Sequence, residues 1–251
     1  MTRRNLLLFT LAAALPLTAQ DKELHIICSN VIRGAMEQLI PQFERSTGRH
    51  VIVHWGASIE LKKGIESGEA FDVALLTTGI LNGLAKSGSI APESQHNIAQ
   101  ANLGVGMRSG GAKTDIGSAA AMKQRLLAAK SITYSKDGGG VAAIQSMLSR
   151  LGIAAELQAR IVQQEVAGRA AESVAQGENE LAFAPVTEIV AVPGVEVLGL
   201  FPAEFQSPLA ITSGISSKTQ LPKYAEEFAH FVVNPNSLKV IEASGMELSK
   251  K

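Results

Sequence analysis

The chain has 251 residues, of which 46% are hydrophobic and 18% charged, so it can bury the core of one large domain or of two modest lobes. Its 23 basic residues balance 23 acidic residues, and aromatic residues make up only 4% of the chain. A neutral chain without a basic stripe interleaved with aromatics does not fit a nucleic-acid-binding protein. Neither a disordered chain nor a nucleic-acid partner is therefore expected.

Residues 1–20 have the pattern of a secretory signal peptide. Arg3 and Arg4 are followed by an apolar run over residues 6–17 and by a small residue, Ala19. Because a membrane-spanning helix needs roughly 20 apolar residues, this run favours a cleaved signal over a membrane anchor. We predict cleavage near residue 19 or 20 and a periplasmic protein. The arginine pair leaves both Sec and twin-arginine export open.

The first predicted strand contains Cys28, the only cysteine of the chain. A single cysteine has no disulfide partner within the chain, so stability must come from packing. Its apolar neighbours predict a buried thiol that behaves as a small hydrophobic side chain.

Short strand-like runs alternate with helix-like segments along the rest of the chain. The predicted strands are 23–28, 51–55, 71–77, 103–108, 131–134, 161–164, 181–184 and 209–213. The predicted helices are 35–47, 60–67, 80–87, 119–129, 141–151, 169–175, 222–232 and 238–243. This alternation predicts an α/β protein with mostly parallel sheets.

The strands after residue 100 are expected to begin a second sheet, and the last helices to pack back onto the first. After the signal at 1–20, lobe 1 is expected to comprise residues 21–100 and 213–251, and lobe 2 residues 101–212. No low-complexity linker separates the halves. We therefore expect two ordered extended crossings, near 98–103 and 209–216, that form a hinge.

The sequence lacks the common signatures of catalytic and metal sites. Its five histidines do not form an HExxH motif, and the glycines 138–140 lack the Lys-Ser/Thr pair of a phosphate loop. We therefore predict no catalytic residue, metal site or cofactor, and a protein that is not an enzyme.

Small polar residues instead follow the predicted strands where helices begin. In parallel sheets, ligands bind at the carboxyl ends of the strands, where these residues lie. The N-termini of helices that begin there attract anions without needing a lysine. The alternative is that the same residues only cap helices. The ligand-binding candidates of this kind are Ser29, Asn30, Ser58, Thr77, Ser135, Gly139 and Gly140.

Arg169 stands at the start of a predicted helix, where the helix dipole favours an acidic residue. A guanidinium that clamps a carboxylate or phosphate would explain its position. The alternative is an exposed arginine that reaches into solvent.

Three segments resemble the molybdate-binding-like periplasmic proteins of ABC importers. They are Ile-Cys-Ser-Asn at 27–30, Ile-Glu-Ser-Gly-Glu-Ala-Phe-Asp-Val at 65–73, and Gly-Glu-Asn-Glu-Leu-Ala at 177–182. The resemblance implies the two-lobed periplasmic-binding-protein (type II) fold, with two crossing strands at the hinge. It also implies an oxyanion held between the lobes by hydroxyls and backbone amides, with no counter-cation.

Ser58 matches the family's pattern, but two other positions depart from it. The family serine after the first strand falls on Val31, so that Ser29 or Asn30 has to replace it. The family tyrosine before a Thr-Asp pair is missing from the segment Ala-Pro-Val-Thr-Glu at 184–188, which includes Pro185 and in which Thr187 remains a ligand-binding candidate.

The expected function is capture of a small, molybdate-like anion by a monomeric binding protein that delivers it to an ABC importer permease, its sole link to a membrane. One alternative is a small organic carboxylate or a phosphorylated compound paired with Arg169. Another is an exported enzyme that uses a titratable residue such as Glu188 or His54. A ligand-sensing half of a transcription regulator is disfavoured, because no basic DNA-binding segment precedes residue 23.

Overall fold

The computed structural model describes residues 23–166 and 168–249. The expected signal peptide lies outside these residues. The strands are β1 (Leu24–Ser29), β2 (Val51–Gly56), β3 (Val73–Thr77), β4 (His96–Ala101), β5 (Leu103–Arg108), β6 (Ile132–Ser135), β7 (Ile161–Gln164), β8 (Leu181–Pro185), β9 (Val195–Leu200), β10 (Leu209–Ile215) and β11 (Glu247–Leu248).

Helices follow most of the strands in chain order. They are α1 (Arg33–Thr47), α2 (Ser58–Glu66), α3 (Thr78–Lys86), α4 (Ala119–Ala128), α5 (Val141–Arg150), α6 (Ala154–Leu157), α7 (Arg169–Ala175), α8 (Val186–Val190), α9 (Pro222–Val232) and α10 (Pro235–Ala243). Short 3-10 turns lie at Asn30–Ile32, Gln158–Arg160 and Ala203–Phe205. Within the described part of the chain, no helix is long and apolar enough to cross a bilayer.

The strands form one sheet in each lobe. The first sheet has the order β11-β4-β10-β3-β1-β2, and the second has the order β7-β6-β8-β5-β9. Strands β2, β1 and β3 run parallel, as do β7, β6 and β8. The two-lobed α/β fold is therefore confirmed.

The sheets are mixed, which corrects the expectation of mostly parallel pairing. Strand β10 runs antiparallel to both β3 and β4, and β5 runs antiparallel to both β8 and β9. These strands flank the passages between the lobes. They enter their sheets without the helical crossover that a parallel neighbour requires, so they pair antiparallel. Strand β9 was not predicted from the sequence.

The chain passes between the sheets twice. The first passage is at Asn102, between β4 and β5, inside the expected range 98–103. The second lies in residues 201–208, before the expected range 209–216, because β10 already pairs within the first sheet. The lobe limits drawn from the sequence remain a prediction, and the strand pairing favours a division before residue 209.

The core of the first lobe lies between α1, the sheet and the C-terminal helices. Cys28 is fully buried, as predicted, and burial raises the pKa of its thiol above the usual range. Phe43 on α1 packs edge-to-face against Phe228 and Phe231 on α9, with ring centroids 5.0 and 5.3 Å apart. The last helices therefore pack onto the first lobe, as expected.

Gln206 ties the two passages together. Its Oε1 accepts a hydrogen bond from the Leu103 backbone N–H (3.1 Å), and its Nε2 donates to the Leu103 carbonyl (2.7 Å). The same carbonyl accepts from the backbone N–H of Phe201 at 3.0 Å. Beside them, Glu247 on β11 accepts from Asn102 Nδ2 at 2.7 Å. The hinge is thus an ordered, hydrogen-bonded junction.

We expect Gln206→Ala to lower the free energy of unfolding by about 1–3 kcal/mol, because it leaves the Leu103 N–H without its acceptor. Urea unfolding followed by circular dichroism measures the change. Gln220→Ala is the control, since Gln220 is exposed and its Nε2 donates only to the nearby Lys218 carbonyl. Equal, small losses in both variants would contradict a structural role for the Gln206 side chain.

Candidate functional site

A cavity of about 450 Å³ lies between the two lobes. Its first-lobe wall is made by the residues that follow β1, β2 and β3, and its second-lobe wall by the loop between β6 and α5 and by the end of β8. These are the carboxyl ends of the parallel strands in both sheets, the usual ligand position in such sheets. The lining includes the predicted residues Ser29, Asn30, Ser58, Thr77, Ser135, Gly139 and Gly140.

Three helices begin at this cavity with no side-chain cap. Ser58 is the first residue of α2, Thr77 is the N-cap of α3, and Gly140 is the N-cap of α5. The first N–H groups of such helices lack intrahelical acceptors, and the helix dipole makes these ends positive. Because two of the helices belong to the first lobe and one to the second, both lobes present backbone donors to an anion.

The serines at the first-lobe wall hold the loops in place. Ser58 Oγ accepts from the Thr77 backbone N–H at 3.0 Å, so it joins the start of α2 to the end of β3 instead of capping its own helix. Ser29 Oγ accepts from the Val31 N–H at 3.4 Å and caps the 3-10 turn that follows β1. The capping interpretation therefore applies to Ser29 but not to Ser58.

Asn30 carries a polar atom that the protein does not satisfy. Its Oδ1 is buried and has no hydrogen-bond partner among the described residues, although the residue lines the cavity. Buried polar atoms are almost always paired, so this acceptor is available to a hydrogen-bond donor in the cavity, such as a ligand hydroxyl.

The glycines of the β6–α5 loop allow close contact with the hinge. A Cβ on Gly140 would lie 2.7 Å from Leu103 Cδ2, and one on Gly139 would lie 3.1 Å from Leu209 Cδ1. Leu103 begins β5 and Leu209 begins β10, next to the two passages. Glycine is needed at these two positions because a side chain there would crowd Leu103 and Leu209, which lie next to the passages between the lobes.

The placement of Arg169 corrects the expected carboxylate clamp. The residue does not line the cavity. Its Nη2 lies 3.0 and 3.2 Å from the carboxylate oxygens of Glu178, and its Nη1 lies 3.5 Å from Glu172. These two acids satisfy the guanidinium at the start of α7. Thr187 is also not part of the lining; it is buried, and its Oγ1 has no partner among the described residues.

Glu188 lines the cavity. From the sequence it was expected to have a role only if the protein were an exported enzyme. It is half-buried, and burial raises the pKa of its carboxyl to about 7. No charge or hydrogen bond offsets this effect. Its position three residues beyond the end of β8 was the available signal. His54, named beside it, does not line the cavity and lies 2.5 Å from Glu69 Oε1.

The lining has no basic side chain. Among the described residues that form it, none is a lysine, arginine or histidine, and Asp137 is the other carboxyl besides Glu188. Asp137 is exposed at the edge of the cavity. No group of three His, Cys, Asp or Glu side chains in residues 23–166 and 168–249 could hold a metal ion. The arrangement can bind an anion through neutral donors and can exchange a proton through Glu188.

A family model described as bacterial extracellular solute-binding protein matches residues 24–247. The chain belongs to this family. An aconitate isomerase from Pseudomonas sp. is 29% identical to it, over 94% of this chain and 90% of that protein. The molybdate-binding protein of Azotobacter vinelandii is 24% identical, over 94% of each chain.

A solved structure supports the same assignment. The periplasmic molybdate-binding protein of Azotobacter vinelandii superposes with a TM-score of 0.76 and 23% identity, covering 90% of this chain and all of that one. The resemblance to molybdate-binding-like proteins is thus confirmed. One relative is named as a binding protein and another as an isomerase, and each aligns with this solute-binding protein over nearly its whole length.

We expect Glu188→Gln to stabilise the unliganded protein at pH 8 but not at pH 4.5. A carboxyl whose folded-state pKa lies above its unfolded value favours the folded state only while protonated. Stability is therefore lost as the pH rises from about 4.5 to about 7. Glutamine stays neutral, so the variant should gain on the order of 2–3 kcal/mol at pH 8. Urea unfolding at the two pH values measures the difference.

The control for this experiment is Glu204→Gln, which alters an exposed carboxyl outside the cavity. It should change stability by less than about 1 kcal/mol at either pH, because exposed ion pairs contribute little. A Glu188→Gln variant with the same stability as the wild type at pH 8 would contradict the buried position of this carboxyl.

Proposed function

We propose that the protein captures a small organic anion with more than one carboxylate in the inter-lobe cavity. The observation that carries the proposal is the convergence of the uncapped N-termini of α2, α3 and α5 on a cavity lined by no basic side chain. Backbone N–H groups at positive helix ends bind carboxylates as well as inorganic oxyanions. Neutral donors from both lobes therefore replace the salt bridge expected from Arg169.

The size and lining of the cavity favour a carboxylate over a tetrahedral oxyanion. A volume of about 450 Å³ falls in the range of roughly 300–1,000 Å³ that is usual for small organic ligands. Molybdate, as a compact tetrahedron, would fill only part of it. Val31 and Pro185 also stand where molybdate binders of the family have a serine and a tyrosine. Both features support a larger ligand than the family's oxyanion.

Capture by lobe closure links this site to transport. A ligand that bridges both walls stabilises the closed arrangement, which excludes water and gives the protein a shape that a permease can recognise. In this proposal the chain is exported by residues 1–20, acts in the periplasm as a monomer, and contacts the membrane only through an ABC importer permease.

A second candidate function is isomerisation of an unsaturated tricarboxylate in the same cavity. The observation that favours it is Glu188, a carboxyl in the lining whose pKa of about 7 suits proton transfer at neutral pH. The relative named aconitate isomerase supports the same substrate class, since it aligns over nearly the whole chain. Capture and isomerisation share one ligand chemistry and differ in whether the bound ligand changes.

A thermal-shift screen of residues 21–251 tests capture. A ligand at about 100 times its dissociation constant adds about 2.7 kcal/mol of stability. We expect di- and tricarboxylates to raise the unfolding temperature, and molybdate, tungstate, sulfate and phosphate to have smaller effects. A shift with molybdate or tungstate alone would contradict the carboxylate proposal and support the family's oxyanion.

Two variants locate the carboxylate site. Asn30→Ala should weaken carboxylate binding about 10-fold or more, because it removes the side-chain amide whose Nδ2 can donate to the ligand, and a hydrogen bond to a charged group is worth about 1.5–3 kcal/mol. Arg169→Ala is the matched control and should bind as the wild type does. Isothermal titration calorimetry measures both affinities. Weakening by Arg169→Ala with none by Asn30→Ala would place the ligand outside the proposed cavity.

Turnover of aconitate tests the second candidate. The protein is incubated with trans-aconitate, and the cis isomer is followed by proton NMR with a heat-denatured sample as the blank. We expect interconversion in the native sample only. Tight binding of trans-aconitate without conversion would exclude isomerisation and leave capture in place.

A further inference from the structure

We infer that Glu188 is the catalytic base that carries a single proton between two carbons of a bound unsaturated carboxylate. The inference rests on the carboxylate site proposed above and adds to it the residue that performs the proton transfer. It follows from the placement of the Glu188 carboxyl in a cavity whose other lining, apart from the exposed Asp137 at its edge, consists of hydroxyls, amides and apolar groups.

The surroundings of Glu188 leave its carboxyl free to accept a proton. Glu188 is the third residue of α8, which begins where β8 ends and packs against the 3-10 turn that starts at Asn30. The charged residue that follows this turn, Arg33, is paired with Glu37 at 2.7 Å. From the second lobe, the charged residue of the lining is the exposed Asp137.

The pKa of the Glu188 carboxyl suits proton transfer at neutral pH. Because burial holds the pKa of Glu188 near 7, about half of the molecules carry a free carboxylate at neutral pH. A base of this pKa is strong enough to remove a proton and its conjugate acid is acidic enough to return it.

The reaction needs no partner beyond the substrate. The Glu188 carboxylate takes a proton from a methylene carbon that lies between a substrate carboxylate and a C=C bond. That C–H bond breaks, and its electron pair spreads over the three allylic carbons onto the carboxylate oxygens. The Glu188 carboxyl then gives the proton to the far allylic carbon. A new C–H bond forms, the double bond occupies the other pair of carbons, and the base is regenerated.

The walls of the cavity stabilise the charge that develops in this step. As the proton leaves, negative charge grows on the substrate carboxylates, which the proposed site directs toward the uncapped ends of α2, α3 and α5. Preorganised N–H groups of this kind stabilise an intermediate more than the ground state. The features that bind the anion therefore also lower the barrier for Glu188.

Deuterium exchange in D₂O with trans-aconitate as the probe tests the assignment. In the wild type we expect proton NMR to show the cis isomer forming, with deuterium entering the methylene group in those turnovers in which the Glu188 carboxyl exchanges its proton with solvent before returning it. Both rates should rise with pH with a midpoint near 7, as the carboxyl ionises. Glu188→Gln should reduce both rates about 100-fold or more. Its calorimetric affinity for trans-aconitate should stay equal or become tighter, because a negative charge is removed.

The control variant Glu204→Gln should exchange and bind as the wild type does. Full exchange by Glu188→Gln would overturn the inference, as would loss of exchange in Asp137→Asn but not in Glu188→Gln. Binding of trans-aconitate by the wild type with neither isomerisation nor exchange would overturn the base while leaving capture intact. No binding of any carboxylate would overturn both proposals. Thermal unfolding of Glu188→Gln checks that the variant is folded.

Discussion

The contacts of Leu103 connect the hinge to the cavity, and much of the site depends on them. Its backbone N–H and carbonyl are both held by Gln206, which locks the two passages side by side. Its side chain lies against Gly140, the N-cap of α5. Because Leu103 begins β5 of the second sheet, this packing fixes the second-lobe wall to the junction of the two passages. Gly139 meets Leu209 at the start of β10, so the same loop also contacts the first sheet.

This junction explains how the site can attract an anion without a basic side chain in its lining. With the helix N-termini of both lobes held at one cavity, backbone N–H groups supply the attraction that a lysine or arginine would otherwise supply. Burial in the same lining, which has no basic side chain, makes the Glu188 carboxyl costly to ionise and raises its pKa. Anion binding and a near-neutral base thus arise from one physical cause.

The sequence predicted the parts of the fold that depend on local pattern. Strand-end loops such as those at Ser58 and Gly140 were placed correctly, because a polar segment between a buried strand and an amphipathic helix must lie at the carboxyl end of the strand. The direction of β10 and the existence of β9 depend on distant pairing partners. Arg169 was misassigned because one of its acidic partners, Glu178, lies beyond the end of its helix. The burial of Glu188 is a tertiary property that no local pattern carries.

The exclusion of Arg169 from the cavity has a chemical consequence. A guanidinium within about 4–6 Å of Glu188 would favour its ionised form and lower the pKa of the carboxyl by roughly 1–3 units. Such an arginine would bind a carboxylate ligand more tightly, yet it would leave Glu188 too weak a base at neutral pH. By pairing Arg169 with Glu172 and Glu178 on α7 and just beyond it, the fold keeps its cation away from the site.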